Sequence, residues 1–217
     1  MPDSKKFQYL TVEEYLASEE TSPVKREYVD GRVFAMTGVS RRHNVISGNI
    51  YSILRAHVKG SGCRAYIADV KARVEAANSF YYPDVMVSCD RHDDRTVFTS
   101  SPVLIVEVLS RSTASIDRRE KVLAYKQIDS LREYLIVHQS KKRVELHRKN
   151  KQGQWEILEF GPGSEMLLES LPTGPLTLSI EAIYEDVDLP PESEWRVREE
   201  TAGDEHDEGG LERELDW

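Results

Sequence analysis

Cysteine is scarce: Cys63 and Cys89 are the two in 217 residues, and neither belongs to a C-x-x-C pair. That spacing offers no thiolate metal site, and a chain of this length buries a core without disulfide staples. The reading is therefore a cytoplasmic protein in a reducing compartment. No basic-then-apolar leader opens the sequence, and no apolar run approaches the ~20 residues of a bilayer span, so neither secretion nor a membrane partner is expected. Basic residues are outnumbered, with 29 Lys and Arg against 38 Asp and Glu for a net charge of -9. Phosphate backbones attract cations, so the total alone argues against nucleic acid. The location of the charge reverses that argument. Residues 186–217 hold 13 acids and 3 bases in 32 positions, net -10, which leaves residues 1–185 at +1. The chain divides into a folded unit, residues 1–186, and an acidic tail, residues 187–217, too poor in apolar side chains to offset chain entropy and expected to stay disordered.

Within the folded unit, Thr11 and Glu14 form a T-x-x-E capping box that starts a short helix at Val12. Asp30-Gly31 in REYVDGRVFAM predicts a type I′ turn between two antiparallel strands. Apolar residues spaced by three and four from Arg42 to Val58 predict a long helix, with Gly60 able to close it. Strands are predicted over Arg64–Ala68, Val70–Ala76 and Phe80–Cys89. The continuous, β-branched run PVLIVEVL, Pro102–Leu109, reads as a central strand buried on both faces. A second long helix over Asp117–Asp129 and a buried strand over Glu133–His138 complete a βαβ unit. Strands over Arg143–Arg148 and Gln154–Phe160 and a short helix from Ser179 follow. The fold class is α/β.

Two carboxylates stand where burial makes them costly. Glu107 interrupts the most apolar strand, and Asp84 follows Pro83 inside YYPDVMV. Proline cannot donate to a sheet ladder, so Pro83 marks an edge or a bulge. Taken singly, each acid has the alternative of an ordinary salt bridge. Two acids converging from neighbouring strands make a site for a hard divalent cation, Mg²⁺ above all, with Mn²⁺ an alternative.

Pro83-Asp84, with Glu107 23 residues after Asp84 in a hydrophobic strand, resembles the PD-(D/E)xK nuclease core. The ordered segments REYVDGRV, YYPDVMV, LIVEVLS, DRREKVLAY and REYLIV, from about Thr11 to Tyr184, resemble more closely the Uma-two family of bacterial restriction-endonuclease-like proteins. The resemblance implies a mixed central β-sheet flanked by helices, with an additional C-terminal β-hairpin. It also implies a Mg²⁺-dependent endonuclease that hydrolyses DNA phosphodiesters. Many relatives of this core act as homodimers. One departure stands out: the E-x-K lysine position, on the same strand face as Glu107, is Leu109. Asp117, Lys121 and Tyr125 are spaced i, i+4, i+8 on one helix face, where the bare pattern also suits an ordinary i, i+4 ion pair on a solvated face; because the family carries D-x-x-x-K-x-x-x-Y after E-V-x-S, the resemblance implies that Lys121 is the relocated cation.

The resemblance assigns Asp84, Glu107 and Lys121 to catalysis and Asp84 and Glu107 to the metal. Glu27, where the family carries an acid, has two readings of equal weight: a ligand at the cation site or a surface strand residue. Asp117, Tyr125 and His43 are supporting residues. Arg41, Arg42, Arg118 and Arg119 are candidate DNA contacts, the first two at a helix N-terminus. The run SKKRVELHRKNK offers a further basic hairpin rim. Ser110 has no recognisable activating partner, and Lys71, which completes a D-x-K in Asp69-Val70-Lys71, reads as a decoy. The alternative is a non-catalytic DNA-binding or protein-interaction module on a nuclease fold, which the missing E-x-K lysine favours.

Overall fold

Helix α1 (Val12–Glu19) begins with the expected capping box: the Glu14 N–H donates to Thr11 Oγ1 at 3.2 Å and the Thr11 N–H to Glu14 Oε2 at 2.8 Å. The computed structural model describes residues 9–89, 97–109 and 116–191, the last stretch without the side chains of residues 116–118. Strands β1 (Arg26–Val29) and β2 (Arg32–Ala35) form the expected hairpin. Asp30 and Gly31 both take positive φ, +44° and +87°, as a type I′ turn requires. A Cβ at Gly31 would lie 2.7 Å from the Tyr9 ring, so this turn needs glycine for space as well as for φ. Ser40 caps α2 (Arg41–His57), which buries Ile46, Ile50 and Leu54 along one stripe.

After β3 (Arg64–Ile67) and β4 (Lys71–Val74), the structure corrects the sequence reading. The single strand expected over Phe80–Cys89 is two, β5 (Ser79–Tyr81) and β6 (Val85–Ser88), and they belong to different sheets. The break falls at Tyr82-Pro83-Asp84, where proline removes a ladder donor. Strand β5 enters a five-stranded sheet of order β2-β1-β5-β4-β7, with β7 at Phe98–Thr99. Strand β6 enters a six-stranded mixed sheet with β8 (Pro102–Leu109), β9 (Glu133–His138), β10 (Val144–Lys149) and β11 (Trp155–Phe160) in the order β11-β10-β9-β8-β6-β3. Strands β8 and β9 run parallel and are joined through α3 (Ile116–Tyr125), giving the expected βαβ unit. Helix α3 stops at Tyr125, short of the expected Asp129; the Gln127 and Ile128 N–H groups close single turns onto Ala124 and Tyr125 carbonyls. A small hairpin, β12 (Glu165–Leu168) with β13 (Leu176–Ser179), and helix α4 (Ile180–Ile183) complete the described chain.

Alternation along β8 sorts the core. Leu104, Val106 and Val108 pack with α2 and α4 on one face, while Ile105 faces Tyr125, Tyr134 and Ile136 on the other. A third cluster, Tyr15, Tyr28 and Phe80, seats α1 on the five-stranded sheet. No helix among the described residues is long and apolar enough to cross a membrane.

The cysteine argument is also corrected. Cys63 precedes β3 and Cys89 follows β6, one step beyond the Arg64–Ser88 pair, with Cα atoms 4.0 Å apart and the sulfurs joined as a disulfide. Cross-strand register, not motif spacing, brings the two together. With both thiols consumed, the inference from cysteine usage to a reducing, cytoplasmic compartment loses its basis. The tail's last residues, 192–217, lie outside the described residues, as does Ser110.

Candidate active site

The break between β5 and β6 places Asp84 at the seam of the two large sheets. Strand β6 pairs antiparallel with β8, Val85 opposite Val106 and Met86 opposite Ile105, so one step on Asp84 stands opposite Glu107 on the same face. Asp84 is held from three directions. His43 Nε2 donates to its Oδ1 at 2.8 Å, the Val108 N–H donates to its Oδ2 at 2.7 Å, and its carbonyl accepts from the Ala68 N–H at 3.1 Å. Helix α2 supplies the buried His43 from its first turn, because Ser40 Oγ accepts the His43 N–H and fixes the helix start there.

Lys121 reaches the same point from α3. Its Nζ donates to Glu27 Oε1 at 2.7 Å and lies 3.5 Å from Glu107 Oε1. Tyr125, one turn along the helix, donates its hydroxyl to Glu107 Oε1 at 2.8 Å. The i, i+4 spacing thus turns both side chains onto one carboxylate. Glu27 comes from β1 in the other sheet, and its Oε1 also accepts the Tyr82 N–H at 3.3 Å. Beneath them, Tyr81 meets Tyr125 and Tyr125 meets Tyr134 edge to face, each pair with ring centroids 5.4 Å apart. The Lys121 ammonium lies 5.5 Å from the Tyr81 ring centroid.

One cleft of about 380 Å³ is lined by the poorly exposed Glu27, Asp84, Glu107 and Lys121, by the exposed Phe34 and Val39, and by Met36. Among the described residues, three carboxylates face one ammonium. Burial pushes the Glu107 carboxyl up to about 7; Lys121 opposes that shift, and Asp84 and Glu27 add to it. Burial works to lower Lys121, but Glu107 and then Glu27 outweigh it and hold the ammonium above its ordinary value. Burial, reinforced by Glu107, keeps the Tyr125 phenol protonated well above the usual range.

Most sequence-derived candidates meet here: Asp84, Glu107, Lys121, Glu27, His43 and Tyr125. Arg41 is exposed and Arg42 half-buried on the turn of α2 that carries His43, and Arg119 is exposed two residues before Lys121. The side chains of Asp117 and Arg118 lie outside the described residues. Leu109, at the E-x-K position, lines the cleft without a charge. Lys71 is elsewhere, buried on β4 with its ammonium 5.0 Å from the Tyr82 ring centroid. At least three of the six Lys and Arg residues in the basic run SKKRVELHRKNK lie in ion pairs, Lys142 3.5 Å from Glu181, Arg143 2.7 Å from Glu159 and Arg148 2.9 Å from Glu133. Phe34 and Tyr81 went unremarked in the sequence, where they look like ordinary strand aromatics.

Among the described residues, no three His, Cys, Asp or Glu side chains form a metal cage by themselves. Asp84 and Glu107 supply two hard oxygen donors, and the crowding of negative charge on Glu107 is what a divalent cation relieves. That donor set fits Mg²⁺, which takes one or two carboxylates and completes its shell with water. It does not fit the nitrogen and sulfur cage of a structural zinc.

A mixed sheet carrying a Pro-Asp acid at a strand break, a partner acid on the next strand and a helix-borne lysine defines a restriction-endonuclease-like protein. The family model of Uma2, described as "Putative restriction endonuclease", matches residues 12–181. The chain belongs to the Uma2 family. Two uncharacterized proteins of Synechocystis sp. are similar to it: one is 36% identical over 179 residues, 82% of this chain and 93% of that protein, and the other 33% identical over 154 residues, 70% and 87%. The fold is shared with a crystal structure from Anabaena variabilis described as a putative nuclease belonging to DUF820, with a TM-score of 0.66 at 18% identity over 81% of this chain and 97% of that one.

Proposed function

We propose that this protein is a Mg²⁺-dependent endonuclease, with Mn²⁺ as a substitute, that hydrolyses phosphodiester bonds of DNA. The observation that carries this reading is the placement of Lys121 3.5 Å from Glu107, in the position that an E-x-K lysine would serve, although it comes from α3. Asp84 and Glu107 would hold the cation together with a main-chain carbonyl near Val108. When bound, the cation polarises the scissile phosphate and lowers the pKa of a coordinated water. The chain's own groups do the rest. His43 Nε2–H and the Val108 N–H fix the attitude of Asp84, and Tyr125 fixes that of Glu107. Lys121 exchanges its bond to Glu27 for one to the phosphate and offsets the charge that grows on the pentacoordinate phosphorus. Water oxygen bonds to phosphorus, the ester P–O bond breaks, and the water's proton balances the departing alkoxide. Exposed Arg41 and Arg119, with Arg42, adjoin the cleft-lining His43 and Lys121 in the chain and would contact phosphates.

The test incubates the full chain with supercoiled and single-stranded DNA plus Mg²⁺ or Mn²⁺, beside Asp84→Ala and Lys121→Ala. Cleavage by the wild type that both variants lose by at least ~100-fold is expected. Cleavage that survives Asp84→Ala refutes the site. One observation, the uncharged Leu109 in the cleft, favours a second reading, a DNA-binding module without catalysis. Tight DNA binding with no cleavage of any substrate would select it.

A further inference from the structure

Phe34 stands directly opposite Glu27 in the β1–β2 register, on the same face of the hairpin. Its neighbour across the strand pair is therefore the carboxylate that holds Lys121. The ring lines the cleft yet is 47% exposed, and Met36 and Val39 add to the apolar lining. The Arg32 guanidinium lies over the Phe34 ring, 5.9 Å from its centroid, so a cation covers one face of the ring and a base would stack on the other. An isolated exposed aromatic needs no explanation; one fixed in the lining of a cleft, one side chain away from a buried ammonium, does.

We infer that Phe34, flanked by Arg32, is a stacking platform for an unpaired base, and that the cleft takes single-stranded rather than fully paired nucleic acid. The inference rests on the nuclease reading for the position of the phosphate. A phosphate drawn to Lys121 carries its own sugar and base towards Phe34, a cleft-lining residue that is half exposed and whose ring has Arg32 over one face. Bases presented singly stack on aromatic rings and on arginine planes, an interaction open to every base because each has a π-face. The cleft's volume points the same way. At about 380 Å³ it lies near the lower end of the ~300–1,000 Å³ typical of small-molecule sites, so it can take in one nucleotide, whereas a duplex could only lie across its opening. A paired base buries both its faces in the helix and has none left for Phe34. Arg41 and Arg119 supply the backbone attraction that stacking alone lacks.

The experiment measures fluorescence anisotropy of a fluorescein-labelled oligothymidylate, of a strand of the same length with every base replaced by an abasic site, and of a matched duplex. Ca²⁺ replaces Mg²⁺ so that binding is read without turnover. The full-length wild type is compared with Phe34→Ala, Phe34→Trp and Asp84→Ala. Phe34→Ala should weaken the single strand by about 5- to 100-fold while Phe34→Trp keeps wild-type affinity. The abasic strand should lose a similar factor on the wild type and little more on Phe34→Ala, because the two changes remove one contact. The duplex should bind more weakly than the single strand and respond little to Phe34→Ala. Equal affinity of Phe34→Ala and wild type for the single strand overturns the inference, as does a duplex preference that Phe34→Ala leaves intact. Phe34-dependent binding in a protein that never cleaves DNA would sink the nuclease reading and leave the platform standing. Asp84-dependent cleavage with no effect of Phe34→Ala on binding would do the reverse.

Discussion

Glu107→Gln tests the electrostatics of the site without any substrate. In the folded protein, burial raises the Glu107 carboxyl from 4.5 to about 7, so the folded state holds that proton more tightly than the unfolded chain. The sign follows from linkage. Below the unfolded value both states are protonated and nothing is lost; between 4.5 and about 7 stability falls as pH rises; above that the penalty is constant. Glutamine mimics the protonated acid at every pH. With ~1.4 kcal/mol per pKa unit, the metal-free variant should exceed wild type by up to about 3 kcal/mol at about pH 8, and match it near pH 4. For a chain of this size that is roughly 6–12 °C in Tm. Lys121 keeps its 2.7 Å partner Glu27 in the variant, so the ammonium is not orphaned. Urea melts of both proteins in EDTA across this range give the difference directly, and contributions from the shared histidines cancel. Adding Mg²⁺ should then stabilise the wild type and leave Glu107→Gln nearly unmoved. A stability difference that does not change with pH, or a glutamine variant less stable at high pH, would refute the account of Glu107.

Lys121→Met removes the ammonium facing three carboxylates and should cost about 3–5 kcal/mol above neutral pH, with much of it recovered in the Glu107→Gln background. In nuclease assays Leu109→Lys should restore part of the activity lost in Lys121→Met, since position 109 lines the same cleft; no recovery would count against Lys121 as the relocated E-x-K cation. Tyr125→Phe deletes the hydroxyl that favours ionised Glu107, so NMR titration should find that carboxyl moved further up, with a stability cost of about 1–3 kcal/mol. Reduction of Cys63–Cys89, which closes a separation of 26 residues, should cost about 3 kcal/mol in denaturant melts, and free thiols detectable in the native, unreduced protein would refute the pairing.

What the sequence disclosed and what it hid divide along physical lines. Asp84 and Glu107 are legible because a carboxylate beside apolar, β-branched residues contradicts its surroundings, and that contradiction is local. The Asp30-Gly31 turn is legible because its backbone demand is met by two residues. Lys121 is different: an i, i+4 pair on a helix is commonplace, and the family pattern of residues singled it out. The cysteines show the limit. Nothing in a spacing of 26 tells of a cross-strand pair, since register is set by the β3–β6 ladder and not by the residues that occupy it. The β5–β6 break was half visible. Pro83 announced an interruption, but assignment of the two halves to different sheets depends on partners far along the chain. Phe34 carries no signal at all until the hairpin register sets it against Glu27.

The link at Pro83-Asp84 has a consequence for when the chemistry can exist. Glu27 belongs to one sheet, Glu107 to the other, and Asp84 to the few residues that connect them. The six-stranded sheet alone sets Asp84 beside Glu107, but without the other sheet it lacks Glu27, the 2.7 Å partner of Lys121, and the Phe34 side of the cleft. The constellation reports that the whole tertiary arrangement is complete, in the way a two-key lock reports that both keys are present.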